Sequence, residues 1–292
     1  MKIFTPLPGE YVASALQRGN EILGIKAVSC HDFRIKPIPR KGYGRTGLGE
    51  KSEYRAHGEF QFPSFFSKAN ITDEILNNHT LHPLNAALGR STMSTITTPA
   101  LWGKICRDCV FEDFNNHGTA YIHRSHVHTS VKVCSIHGSI LLHTCPTCST
   151  PISKHNITKL GFCSQKYNGS TSLSISTNHL YSVFIADLLN YKGPTIKPHE
   201  AEWVAARSFY LNYSKEIELD EDFLAKIVKR TLDAHNVTST RGKLSDSSLA
   251  MKAFLGCETA ERYLDLVTNE ASSKLLEKEV NELRHSESPL VS

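Results

Sequence analysis

With 292 residues the chain can build two modest domains with real cores, and its net charge of +4 permits a nucleic-acid partner without demanding one. No run approaches the roughly 20 apolar residues of a membrane-spanning helix, and Met1-Lys2-Ile3-Phe4-Thr5-Pro6 lacks the basic start and long apolar stretch of a secretion signal. The composition thus excludes a membrane-spanning protein and a secreted disulfide scaffold, and it predicts a cytoplasmic protein whose cysteines are reduced.

Residues 1–29 read as a short lead-in and then a helix, on which Tyr11, Val12, Ala15, Leu16, Ile22 and Leu23 recur at helical spacing. Residues 30–66 change character. Pro37, Pro39, Gly42, Gly44, Gly47 and Gly49 predict no regular element there. Arg34, Lys36, Arg40, Lys41, Arg45, Lys51 and Arg55 are interleaved with Phe33, Tyr43 and Tyr54. A basic loop with aromatics can follow a phosphate backbone and stack on bases, so Arg34, Lys36, Arg40, Lys41 and Arg45 are candidate DNA contacts; a solvated surface loop is the plain alternative. Two nucleotide-binding strings in this loop fail on context. Gly42-x-Gly44-x-x-Gly47 should follow a strand and open a helix, but prolines and Arg40-Lys41 precede it. After Gly44-x4-Gly49, Glu50 displaces Lys51 by one residue and brings a carboxylate to the phosphate position. From Asn70 the chain is helical again. Asn70 or Thr72 is the cap, Asp73 and Glu74 suit the first turn, Ile75, Leu76, Leu81, Leu84, Ala87 and Leu88 form the apolar face, and Gly89 is the stop.

The densest chemistry runs from Cys106 to Cys163, which holds six of the eight cysteines. It reads Cys106-x2-Cys109, Cys134-x2-His137, Cys145-x2-Cys148, then Cys163. A knuckle of two thiols two residues apart aims both sulfurs at one point, as a tetrahedral Zn²⁺ requires. Seven histidines lie between His117 and His155, in the same region. The simplest closed set is Cys106, Cys109, Cys134 and His137. The rival is a cross-braced arrangement in which Cys106 and Cys109 share a metal with Cys145 and Cys148. A second set would combine Cys145, Cys148 and Cys163 with His155 or His143, because Lys166 stands where a further cysteine would complete a knuckle. Val131 and Val133 alternate as in a short strand entering the second knuckle.

Beyond about residue 171 the pattern is helical. Ser176 or Thr177 caps a segment through Leu180, Val183, Phe184, Leu188 and Tyr191, stopped by Gly193-Pro194. A second helix runs from about Pro198 to Tyr213, and a third starts after Asp220. Leu249, Ala250, Ala253 and Phe254, then Gly256, then Thr259 to Leu264 have the shape of a helix-turn-helix, with Gly256 in the turn, Thr259 as cap and Arg262 facing phosphate. A final helix over about 271–285 could pack or dimerise through Leu275, Leu276, Val280 and Leu283.

The combined string Cys106-Arg107-Asp108-Cys109, Tyr121-Ile122-His123-Arg124-Ser125-His126, Val133-Cys134-Ser135-Ile136-His137-Gly138 and Leu141-Leu142-His143-Thr144-Cys145-Pro146-Thr147-Cys148 resembles the TniQ/TnsD family, the target-selection proteins of Tn7-like transposons. His79-Thr80-Leu81-His82-Pro83-Leu84 upstream, and Pro6, Glu10, Ser14 and Arg18 at the start, resemble the same family; the likeness covers about residues 1–165. The sequence departs from the family's pattern at Ile122, where an aromatic is usual, and at Cys163, all that remains of a last knuckle. The resemblance implies a non-catalytic adaptor with metal positions at Cys106, Cys109, Cys134, His137, Cys145 and Cys148. It implies double-stranded DNA, an AAA+ transposition ATPase, a CRISPR Cascade effector with its guide RNA, and a second copy of the chain as partners, and it places the protein with the bacterial nucleoid.

The fold class expected is mainly α with small zinc-bound β elements. It comprises a helical, helix-turn-helix-like N-terminal domain over 1–100, a zinc-finger module over 101–170 and a helical C-terminal domain over 171–292. A zinc deaminase would need H-x-E followed by P-C-x-x-C; His57-Gly58-Glu59 supplies the first, but Ile105 precedes Cys106. An HNH nuclease built on His117, His123, His126 and His128 would need flanking strands that the sequence does not offer. A zinc-ribbon and helix-turn-helix transcription regulator is the second reading, sharing the binding chemistry and differing in partner.

Overall fold

The computed structural model describes residues 5–24, 36–37, 60–61, 72–89, 102–167, 176–213, 246–269, 274–275 and 278. The chain divides into two compact units. The first takes Met1–Pro83 and Ser91–Lys192, so residues expected in an N-terminal domain and those of the cysteine-rich region share one unit. The second takes Leu84–Arg90 and Gly193–Ser292. The described elements are mainly helical with few strands, and none of the described helices is long and apolar enough to cross a membrane.

In the first unit, α1 (Val12–Ile22) buries Val12, Ala15 and Leu16 of the expected face, with Tyr11 just before it, whereas Ile22 and Leu23, expected on the same face, are exposed at the helix end. Its start is held by a polar knot. Glu10 is fully buried and accepts from the Leu7 amide (2.8 Å), the Ser14 hydroxyl (2.9 Å) and the Arg18 guanidinium (2.8 and 3.1 Å). The Ser14 hydroxyl in turn accepts from the Ile122 amide, the Tyr11 amide donates to the Ile122 carbonyl, and the Arg124 amide donates to the Gly9 carbonyl. Glu10 and Arg18 satisfy each other and their neighbours within the knot, while the Ser14 hydroxyl and the backbone of Gly9 and Tyr11 carry the bonds across the seam. The start of the chain is thereby fixed to residues 121–124.

Strands β1 (Lys36–Pro37) and β2 (Phe60–Gln61) pair antiparallel, Lys36 opposite Gln61. The 30–66 segment was expected to hold no regular element. Pro37 is tolerated here because this two-stranded ribbon has only edges. The other residues of the basic loop, the nucleotide-like strings and His57-Gly58-Glu59 lie outside the described residues. Helix α2 (Asp73–His79) is capped by Thr72, whose hydroxyl accepts from the Ile75 amide at 3.3 Å. Helices α4 (Arg107–His117), α5 (Arg124–Val127), α6 (Ile157–Ser164) and α7 (Thr177–Leu188) complete the unit. Ser176 caps α7, which ends at Leu188, before the Gly193-Pro194 stop. Isolated antiparallel bridges, Ile105 to Leu142, Val133 to Ile140 and Thr144 to Pro151, add to its β character.

The second unit takes α3 (His82–Ala87) from Leu84 onward, and the chain continues into Gly89, which adopts φ +65°. Helix α8 (Pro198–Tyr213) starts on the proline, which costs nothing at a position with no intrahelical donor duty. Helices α9 (Asp246–Cys257) and α10 (Ala260–Thr268) follow, and Thr259 caps α10 by accepting from the Arg262 amide. The turn between them differs from expectation. Gly256 lies inside α9, and Glu258 takes the left-handed conformation at φ +64°. The glycine is needed for packing instead: a Cβ on it would collide with the backbone of Ser208 and Phe209 of α8. Fully buried Tyr263 of α10 donates from its hydroxyl to the Ala87 carbonyl. The helix expected after Asp220 lies outside the described residues, and of the final helix Lys274, Leu275 and Lys278 are described as helical.

Candidate metal centres

The first centre joins the start of a helix to a hairpin turn. Cys106 is the residue before α4 and Cys109 lies in its first turn, so one helical turn presents both thiols on the same side. Opposite, the Cys134 amide donates to the Ser139 carbonyl and the Gly138 amide to the Cys134 carbonyl. This tight loop, with Gly138 at φ +65°, turns Cys134 and His137 toward the helix. The bridge from Ile105 to Leu142 holds the two halves in register.

The four ligand atoms lie within 4.8 Å of one another. His137 Nδ1 is 3.3 Å from Cys109 Sγ, 3.6 Å from Cys106 Sγ and 3.7 Å from Cys134 Sγ, and Cys109 Sγ is 3.6 Å from Cys134 Sγ. A tetrahedral Zn²⁺ with bonds of ~2.3 Å to sulfur and ~2.0 Å to nitrogen has edges of about 3.5–3.8 Å, so the donor set fits that ion. The other ring nitrogen of His137, Nε2, is 3.1 Å from Glu112 Oε1, the carboxylate partner that fixes a ligating imidazole. The Ser139 hydroxyl donates to Asp108 Oδ2 at 2.8 Å and ties the loop to α4. Hydrogen bonds from Cys106 and Cys109, with backbone amides, hold the Cys134 thiol far below the usual range, while hydrogen bonds with Cys106 and Cys134, and then burial, push Cys109 up. Three sulfurs so close share protons until a cation takes their place.

The second centre repeats the turn. The Cys145 amide donates to the Thr150 carbonyl and the Ser149 amide to the Cys145 carbonyl. Ser149 takes the position of Gly138, at φ +56°. Cys145, Cys148, His155 and Cys163 offer ligand atoms within 4.8 Å of one another, with Cys163 Sγ 3.5 Å from His155 Nε2. Here Nε2 faces the thiols, and Nδ1 is 2.7 Å from the Asn156 carbonyl, which fixes the tautomer. The fourth donor is therefore His155; His143 is exposed and outside the set. Glu21 of α1 accepts from the Ile157 amide (3.0 Å), the Thr158 amide (2.9 Å) and the Thr158 hydroxyl (2.9 Å), holding the first turn of α6.

The donors thus form consecutive sets rather than a cross-brace. Among the described residues, these two clusters are the ones that gather three or more His, Cys, Asp or Glu donors. The remaining histidines of the region serve packing and hydrogen bonding. His123 Nε2 is 2.8 Å from Asp113 Oδ2 and its ring stacks on Tyr121. His126 is fully buried, and burial holds it down to about 3. His128 Nδ1 contacts the Ser130 hydroxyl at 2.6 Å, and burial holds it down to about 4.

Of the candidate DNA contacts, Arg34, Arg40, Lys41 and Arg45 lie outside the described residues, as does the side chain of Lys36. Arg262 is exposed in the first turn of α10, flanked on the exposed face by Glu261 and Asp265. Sequence reasoning missed Glu112 and Glu21. Glu112 stands three residues after Cys109 on one helix, a spacing that puts both on one face; Glu21 lies 137 residues from Thr158 and gave no local signal. Comparison with protein-family models, with curated proteins and with solved structures found no match.

Proposed function

We propose that the protein is a non-catalytic adaptor of the TniQ/TnsD kind, whose Zn²⁺ centres fold a docking platform for transposition partners. The observation that carries this is closure of both donor sets. Each supplies three thiols and an imidazole, leaving no position for a water or substrate, which is the pattern of a structural rather than a catalytic zinc. The residues that carry the family likeness also work as fasteners. Glu10, Ser14 and Arg18 form the buried knot, and Arg124 donates to the Asn77 carbonyl and the Asn190 side chain. In this role the adaptor meets an AAA+ ATPase and a target-finding component, DNA itself or a Cascade effector with its guide RNA.

A zinc and helix-turn-helix transcription regulator is the second reading, favoured by the α9–turn–α10 pair. Against it, the exposed face of α10 carries Glu261 and Asp265 beside Arg262, a net negative charge unsuited to a phosphate backbone. Capture of an AAA+ transposition ATPase by the purified chain separates the two: the adaptor reading expects capture, and its absence together with tight DNA binding would replace the adaptor with the regulator. DNA binding at low and high salt, with and without a Cascade effector, then tells which target-finding component the adaptor uses, weak and salt-sensitive binding alone marking the Cascade-guided form.

A further inference from the structure

The two centres share one donor chemistry and differ in access. In the first, Cys106, Cys109 and Cys134 are all buried. In the second only Cys145 is buried; Cys163 is half-buried and Cys148 is open to solvent. A thiolate bound to zinc keeps its nucleophilic lone pairs, and the sulfur that a small oxidant can reach is the one it oxidises. Cys148 is that sulfur. It also has neighbours for the following step, because Cys145 and Cys163 offer their sulfurs within 4.8 Å of it.

We propose that the second centre is an oxidative modification site, where hydrogen peroxide joins Cys148 to a neighbouring thiolate of the same set and expels the metal. This rests on reading both sets as zinc centres. In the first step the Cys148 thiolate attacks the peroxide oxygen; the O–O bond breaks, a sulfenic acid forms and hydroxide leaves. In the second, the thiolate of Cys145 or Cys163 attacks the Cys148 sulfur, the S–S bond forms and a second hydroxide leaves. Two thiolates lose two electrons, and the peroxide gains them. The set is left with one thiolate and His155, too few donors to hold Zn²⁺, so the ion is released. The first centre, with its sulfurs buried, keeps its metal. The reaction is reversible by a dithiol and fresh zinc.

The test uses the full chain loaded with zinc and its content counted. One equivalent of hydrogen peroxide is added without air, released metal is followed with a chromogenic chelator, and the product is mapped by peptide mass spectrometry. The expected result is fast loss of one of the two zinc ions and a disulfide from Cys148 to Cys145 or Cys163. Peptides bearing Cys106, Cys109 and Cys134 stay reduced, and dithiothreitol with zinc restores the count. Loss of both ions at one rate, a disulfide within the first set, or metal loss without any disulfide would overturn the proposal. A starting content below two ions would instead overturn the zinc reading, and the proposal with it.

Discussion

Glu21, at the end of α1, caps a helix that begins 136 residues later: its carboxylate accepts from the Ile157 and Thr158 amides at 3.0 and 2.9 Å. Asn156, the residue in the ordinary cap position, makes no side-chain cap. The carboxylate therefore does what a local Ser or Asp usually does, and it also fixes the backbone next to His155. A charged acceptor on two helix amides stabilises the helix by about 1–2 kcal/mol. Glu21→Ala is expected to lower stability by that amount and to weaken zinc at the second centre, while the first stays filled. Thermal unfolding and competition with a chelator read the two effects; equal weakening at both centres would rule out this coupling.

Glu112 and His137 make the corresponding pair at the first centre. Removing a carboxylate that orients a ligating imidazole typically costs 10–100-fold in metal affinity. Glu112→Ala is expected to lower zinc affinity at the first centre by roughly that factor, since Glu112 is itself exposed and contributes little to packing. Chelator competition measures it, and an unchanged affinity would show that the contact does not orient the ring.

Arg18 and Glu10 form an ion pair with both side chains almost wholly buried. Arg18→Met leaves a carboxylate in the interior with the Leu7 amide and the Ser14 hydroxyl as its remaining donors. A loss of about 3–5 kcal/mol is expected, with partial recovery in the Glu10→Gln, Arg18→Met double variant, because the unpaired charge is then gone. Denaturant unfolding of the two variants checks both parts.

Burial holds His128 at about 4, below its ordinary 6.5. Between these values the unfolded chain binds a proton that the folded chain does not, so stability rises with pH across the window. It is fully present above 6.5 and is lost as the pH falls toward 4. His128→Gln is expected to flatten the stability profile between pH 4 and 6.5 relative to the parent, by roughly 2–3 kcal/mol over the window. Unfolding curves at a series of pH values, with zinc content held equal, give the difference; parallel profiles would refute it.

Ser149 holds a left-handed backbone that its counterpart Gly138 adopts without strain. Ser149→Gly is expected to stabilise the second knuckle by about 1 kcal/mol, visible as a higher midpoint of thermal unfolding.

How much of this was legible depends on how local the cause is. The first turns of the α1 face, the Thr259 cap and the proline start of α8 rest on neighbours a few residues apart, and the sequence reads them directly; it narrows two further caps to Asn70 or Thr72 and to Ser176 or Thr177, and it misplaces Ile22 and Leu23, which the helix end leaves exposed. The knuckle pairs are equally local, so their donors could be named from spacing. What spacing could not decide was which knuckles share an ion, because that depends on the Ile105 to Leu142 bridge and on the buried seam that brings α1 to α6. Gly256 shows the opposite error. A glycine between two helical patterns reads as a turn, yet here it marks the crossing with α8, and Glu258 makes the turn under strain. The charge of Glu261 and Asp265 beside Arg262 was visible in the sequence, but only the helix showed that all three share the exposed face.

The order of donors along the chain has a consequence for synthesis. His137 completes the first set eight residues before Cys145 begins the second. A chain leaving the ribosome therefore presents one finished claw before any part of the other exists. Metal can be captured from the front of the molecule to the back, with no segment threading through a loop that is already shut. A cross-braced arrangement would have forced the first pair of thiols to wait, unprotected, for the last.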